Sequence, residues 1–263
     1  MFKFYRIPAL KIIVALCGII GLLAGYYSGT MLLIFYVMIA VGNGVAAHRY
    51  FGHHQFSVNP VGQAILALLA TFAGYTSIHI WMAQHRLHHK FPDTNRDNHT
   101  PDKGFWHSFY TWQFKRDEIN YRALGFVSFY RDRTSVLAGI ARDPLVAFLS
   151  RYFVEVWAVL LIALLLISPT LFFTYCIAHT LDTVRIGIIN TCTHMKLPGS
   201  YRLYNTRDHS YNNPVVGLIT FGFGWHNTHH GNPGKLILTE RWWELDLEGY
   251  IGLLFSKLFP EKN

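Results

Sequence analysis

Four long stretches of this chain, at about 8–27, 31–47, 152–168 and 170–190, are apolar and nearly free of charge. A helix needs roughly 20 such residues to cover about 30 Å of hydrocarbon, so each is read as a spanning helix. The clustering of apolar residues, more than their 51% share of 263 residues, points to a membrane. The first two runs are joined by Tyr27, Ser28, Gly29 and Thr30, and the next two by Ser168, Pro169 and Thr170, none of them charged. Residues 84–151 hold eleven Lys or Arg, and more follow His194. The positive-inside rule therefore puts both hairpin turns outside, with the termini and all other segments in the cytoplasm. The first run has no small-residue cleavage site and leads directly into the second, so it is read as a retained span.

The resulting expectation is an all-α integral membrane protein, a single domain over 1–263. About four transmembrane helices form two hairpins, and residues 84–151 and 195–263 form a cytoplasmic helical cap. A fifth apolar run, 61–80, separates His48 and His53 from His85, His88 and His89. Were it a span, those groups would lie on opposite sides of the membrane, so it is expected to lie along the interface. The segment from Trp242 to Phe259 reads as another interfacial helix, with Glu244, Asp246, Glu248 and Lys257 turned to water. The net charge of +8 follows the span-flanking pattern and no recognition module appears, so nucleic acid is not an expected partner. Cys17, Cys176 and Cys192 have no metal-ligand or disulfide spacing and read as small core residues.

Fifteen histidines are unusual, and most fall in three boxes: His48-Arg-Tyr-Phe-Gly-His53, His85-Arg-Leu-His88-His89 and His226-Asn-Thr-His229-His230. On a helix, positions three and four apart share a face, so each of the last two boxes is expected to present its imidazoles toward one point. Asn190 and His194 have the same spacing. Eight box histidines plus His194 make nine neutral ligands, too many for one ion and about right for two. Ligand chemistry alone admits iron, zinc, copper or nickel. His79, His99, His107, His179 and His209 lie outside the boxes and are read as ordinary structural histidines, and His54 is left out of the ligand set because it adjoins His53 and neighbouring residues do not share a helix face.

These boxes, with Asn190-Thr-Cys-Thr-His194 between the second and third, resemble those of the membrane fatty-acyl desaturases, closest to the delta-9 (stearoyl-CoA type) branch. The likeness extends over nearly the whole chain, through the segment Phe91–Pro101 and Gly104–Ser108. It implies two irons held by His48, His53, His85, His88, His89, His194, His226, His229 and His230, with Asn190 reaching one through water, and O2 as co-substrate. It also implies a tunnel lined by Trp81. Tyr36, three turns before His48, is a candidate for the tunnel's closed end. The chain departs from the family at His54, where Arg is common, and at Asn98, where Pro is usual. The Arg-Lys-His-Pro stretch of acyl-CoA members is not recognisable near Lys115 and Arg116, which leaves CoA, carrier protein and glycerolipid open as carriers.

Removing hydrogen from an unactivated methylene needs a redox metal with O2, which zinc does not supply. Arg49 and Arg86 are expected to orient the site by pairing carboxylates such as Asp93 or Asp97, or to contact the substrate head group. Asp182 and Arg185 are expected to pair within the fourth run. The chain has no haem, flavin or iron–sulfur motif, so electrons must come from a donor such as ferredoxin or cytochrome b5, steered by the basic face. The rival readings are a hydroxylase, acetylenase or ketolase of the same superfamily, and a non-catalytic metal-binding membrane protein.

Overall fold

A computed structural model describes residues 6–114 and 136–261. Lys115 and Arg116 lie outside the described residues. Among those described, regular structure is helical, and extended pairing is confined to the isolated bridges Tyr201–Asn212 and Asn212–Trp225.

The four apolar runs are helices: α1 (Arg6–Leu23), α2 (Gly29–Val41), α8 (Phe153–Ile167) and α9 (Pro169–Cys192). Ser28 starts α2 by accepting from the Met31 amide at 3.4 Å. Pro169 starts α9 at the position where a missing N–H costs least. The α2 helix continues without a break into a π-helix, Gly42–Gly52. By length and composition Gly29–Gly52 can cross a membrane; so can α7 (Pro144–Arg151) taken together with α8, although the two are bent by 77°. Ile7–Leu23 is shorter, and α9 carries Asp182 and Arg185.

The run at 61–80 differs from expectation. It is not one helix: α3 (Pro60–Phe72) ends before Gly74, and α4 (Ile78–Lys90) begins after the Ser77 cap. Gly74 has φ +71°, and a Cβ there would lie 2.4 Å from the Trp157 ring, so glycine serves both the turn and the close approach. Trp157 in turn donates to the Tyr175 hydroxyl at 2.7 Å, which donates to Phe72 O at 2.5 Å. At 13 residues α3 is roughly 20 Å long, too short to cross.

Two apolar cores result. One packs the π-helix, α3, α4 and α7 through Phe51, Leu66, Met82 and Val146; the other packs α1, α2, α8 and α9 through Val14, Ile39, Trp157 and Cys176. The remaining short helices are α5 (Phe105–Phe109), α6 (Val136–Arg142), α10 (Pro214–Ile219), α11 (His226–Gly231) and α12 (Leu247–Leu258).

The expectation for the segment 242–259 is corrected. The helix starts only at Leu247, and Glu244, Asp246 and Glu248 are buried rather than turned to water. Asp246 caps α12 through the Gly249 amide at 2.9 Å, and Glu244 accepts the Arg241 amide at 3.0 Å and the Tyr201 hydroxyl. These acids alternate with Leu245 and Leu247, which are exposed. That two-residue period is one of extended chain, not of a helical stripe.

Candidate metal centre

Three helices and the end of α9 deliver the imidazoles. The first box sits on the π-helix, whose hydrogen bonds skip five residues: the His53 amide donates to His48 O at 3.1 Å. A five-residue spacing lies on one face of such a helix, and the two rings are 5.0 Å apart. The second box occupies the last turns of α4 and the third forms α11.

The nine imidazoles form two adjoining groups. His48, His53, His85, His89 and His229 offer nitrogens all within 4.8 Å of one another, and so do His88, His194, His226 and His230. Within the first, Nε2–Nε2 separations are 2.6 Å for His53–His85, 2.9 Å for His229–His89 and 3.1 Å for His48–His229. Within the second they are 3.2 Å for His88–His230 and 3.1 Å for both His226–His194 and His230–His226. The His89 and His230 rings stack at 4.5 Å where the groups meet. The expectation that each HxxHH box aims at one point is corrected. Residues four apart, His85 with His89 and His226 with His230, share a group, while His88 and His229 cross to the other.

Carboxylates stand behind one group. His88 Nδ1 lies 2.9 Å from Asp97 Oδ2, His194 Nδ1 3.0 Å from Asp93 Oδ1, and His230 Nδ1 2.8 Å from Asp208 Oδ2. Each carboxylate fixes its neutral ring with the proton on Nδ1, which turns three Nε2 lone pairs toward one another. Lone pairs cannot satisfy each other, and a cation between them resolves the conflict. The donor set therefore fits a metal ion.

Electrostatics keep most ligands neutral, the form a metal needs. Burial first, then neighbouring imidazoles and Arg86, pushes His53 from 6.5 down to about 3. Burial likewise drives His85, His89, His226 and His229 well down, and His230 to about 4. Burial also opposes protonation of His88, but Asp97, Asp93 and Asp208 outweigh it and raise its pKa. Burial raises Asp97 and Asp208, but their histidine partners more than reverse this and hold both below the usual carboxylate range.

Other sequence candidates fall differently. Asp93 and Asp97 contact ligand histidines, but Arg49 does not reach them. It is fully buried, pairs with Asp246 at 2.7 Å and donates to Leu236 O, so it ties the first box to the start of α12. Arg86, half-buried, pairs with neither acid. Asp182 and Arg185 do pair, at 2.7 Å, and Arg185 also meets Glu248 at 2.8 Å. His79, His107 and His179 face the backbone carbonyls of Ala141, Asn98 and Gly74. His99, read as ordinary, is buried with its ring 4.4 Å from that of His88, and forms a third cluster with His88 and Asp97. Its place two residues after Asp97 was the available signal. Asp208 was missed because no motif links it to His230, 22 residues away.

A cavity touches both groups, with Trp81, His48, His88, Asn190 and Arg185 among its walls. Trp81 also lines a second cavity beside it, with Tyr75, Gln84 and Trp112. Tyr36 lines neither; its ring packs 5.9 Å from that of Phe221. The geometry thus offers two polynitrogen groups, each able to hold a metal ion, bordering one cavity.

Comparison with known proteins agrees. The sn-1 stearoyl-lipid 9-desaturase of Anabaena variabilis is 29% identical over 83% of this chain and 76% of its own length. The stearoyl-CoA desaturase of Capra hircus is 26% identical over 88% of this chain and 66% of its own, just under two thirds. The hex-5-enoyl-[acyl-carrier protein] acetylenase of Moorena producens is 27% identical over 88% and 71%. The fatty acid desaturase family model matches residues 12–247, most of the chain, and on that match the protein belongs to the fatty acid desaturase family.

Proposed function

We propose that the chain is an O2-dependent acyl desaturase that places a cis double bond, at the delta-9 position, in a saturated acyl chain. The observation that carries this reading is the gathering of nine box imidazoles into adjoining groups of five and four beside one cavity. His48, His53, His85, His89 and His229 would hold one iron, and His88, His194, His226 and His230 the other, with Asn190 serving through water. Two irons bound there supply the O2-dependent oxidation that an unactivated methylene requires and that zinc lacks. The protein's own residues do the rest. Asp93, Asp97 and Asp208 fix ring tautomers, Trp81 and Ile186 wall the acyl chain, and the cavity holds the target carbons beside the metals.

A membrane setting is supported by the outward faces of the helices, where Ile13, Leu16, Leu33, Val159, Leu166 and Val184 are all exposed. In this reading α1, α2, α8 and α9 cross the bilayer as two hairpins, the cap and both termini are cytoplasmic, and residues 1–263 form one domain. The basic cytoplasmic face would receive an acidic electron donor such as ferredoxin or cytochrome b5. The named relatives act on lipid-, CoA- and carrier-protein-linked chains, so the carrier is left among these. Similarity to an acetylenase favours one alternative, removal of hydrogen from an existing double bond.

Expression in a host that makes no unsaturated fatty acids tests the proposal, with products mapped by derivatisation and mass spectrometry. New monounsaturated chains at one position are expected. Oxygenated products, or unchanged lipids from an iron-loaded protein, would refute it.

A further inference from the structure

The helix α10 lies in the segment Asn213-Pro-Val-Val-Gly-Leu-Ile-Thr220, which carries no charge. Asn213 starts the helix by accepting from the Val216 amide at 3.1 Å, with Pro214 in the first turn. Positions three and four apart share a face. Val216 and Thr220 are buried on one side, whereas Val215, Leu218 and Ile219 on the other are 66%, 71% and 47% exposed. A patch of exposed aliphatic side chains with no polar residue among them marks a contact surface.

The turn after α10 shows what that surface is continuous with. Phe221 takes φ +59°, a conformation that bulky residues rarely adopt. Its ring sits between two long helices, 5.9 Å from the Tyr36 ring of α2 and 5.7 Å from the Arg185 guanidinium carbon of α9. Tyr36 lies in the first half of Gly29–Gly52, the stretch that by length and composition can cross a membrane. The outer faces of both helices are apolar at this level: Leu33 and Val37 near Tyr36, and Leu181 and Val184 near Arg185, are all exposed. Between these faces lie buried charges. Arg185 pairs with Asp182 at 2.7 Å and with Glu248 at 2.8 Å. Arg185 Nη1 also reaches Thr220 O at 3.5 Å, and the Glu248 amide donates to Phe221 O at 3.3 Å. The turn after α10 thus packs over an ionic network at the level of the spans, where contact with lipid would be costly. A segment that screens charges from lipid meets the lipid with its own outer face, and that face of α10 is apolar.

We propose that α10 is a lipid-inserted element of the cap: Val215, Leu218 and Ile219 contact the hydrocarbon of the cytoplasmic leaflet, continuous with the lipid-facing side of α9, and the turn behind them screens the Asp182–Arg185–Glu248 network. The element also abuts the third histidine box. A Cβ on Gly217 would lie 2.7 Å from the Trp225 ring, and Trp225 immediately precedes His226. Through α10 the bilayer therefore braces the helix that carries His226, His229 and His230. The inference rests on the reading of the chain as membrane-spanning.

The test uses the full-length, iron-loaded protein in phosphatidylcholine nanodiscs. An environment-sensitive fluorescent amino acid replaces one residue at a time. The sites are Leu218, Leu166 of α8 (81% exposed) as the lipid-facing reference, and Glu240, exposed and paired with Lys235, as the water-facing reference. Emission is compared in ordinary lipid, in lipid with brominated acyl chains, and with iodide in the water. The probe at 218 should lose emission to brominated chains as strongly as the probe at 166 and should resist iodide, while the probe at 240 behaves in the opposite way. Melting temperature and iron content report folding of each labelled protein, and Val215 is labelled instead if the change at 218 prevents it. Quenching at 218 by iodide would overturn the proposal and place α10 in water. A probe at 218 shielded from both quenchers would also overturn it, and would show that protein, such as a second copy of this chain, covers the face. Loss of the bromine effect at 166 as well as 218 would count against the membrane-spanning reading, and its loss at 218 alone against this proposal alone.

Discussion

The two imidazole groups differ in what stands behind them. In the group of four, three rings are backed by Asp93, Asp97 and Asp208 at 2.8 to 3.0 Å. In the group of five, no carboxylate touches a ring among the described residues, and the Nδ1 atoms of His48 and His229 are buried without partners. The first group is a small set of ligands whose tautomers and basicity are set by anions. The second is a larger set positioned by helix geometry: His48 and His53 by the π-helix, His85 and His89 by one turn of α4. The lesson is that one centre is tuned by charge and the other by backbone, so the same substitution should act differently at each.

Direct removal of a ligand should have the largest effect. His194→Ala and His89→Ala are each expected to abolish turnover, but bound iron should fall from two to about one per chain only in His194→Ala, which leaves three donors in the group of four, whereas His89→Ala leaves four donors in the group of five and should keep both. Metal analysis of the purified variants checks this. If His194→Ala retained both irons, the division into two groups would be broken.

Next in size is Arg49→Leu. It strands Asp246, buried beside the π-helix, and breaking such a pair costs about 3–5 kcal/mol. Thermal unfolding of the metal-free protein should show it. The double variant Arg49→Leu/Asp246→Leu should recover part of the loss, because no lone charge remains.

Asp97→Asn should weaken metal binding at the group of four by about 10- to 100-fold while leaving the group of five intact. Competition with a chelator should then remove one iron early and the other late. Equal loss of both would erase the contrast.

The smallest expected effect is that of mild acid. Folding lowers His53 to about 3 and His230 to about 4 from 6.5. The unfolded chain therefore takes up protons that the folded chain refuses below about 6.5. Stability from these rings is full above that pH and falls as pH drops toward 4. His88 works in the opposite sense, because its pKa is raised. Melting temperatures of the metal-free protein between pH 7 and pH 5 should decline, and a rise on acidification would contradict the assignment.

The sequence made some of this legible for clear reasons. Apolar runs mark their own helices, so α1, α2, α8 and α9 could be placed to within a few residues. Box spacing showed which histidines belong together on a helix, but not how they divide, because three- and four-residue neighbours diverge by enough to join different groups. The π-helix was hidden although its trace was present: His48 and His53 are five apart, the spacing of that helix rather than of an α-helix. Asp208 and the Arg49–Asp246 pair join residues far apart in the chain, and only tertiary structure brings them together. Glu244, Asp246 and Glu248 misled because a segment mixing apolar and acidic residues reads as an interfacial helix with its polar face in water, whereas here the acids are buried and cap or pair.

Crystals of protein purified from an iron-supplemented host, measured with anomalous scattering at the iron edge, put the central claim to its hardest trial. Two peaks should appear, one among the Nε2 atoms of His48, His53, His85, His89 and His229, the other among those of His88, His194, His226 and His230. A single peak, or iron bound outside these two clusters, would contradict it.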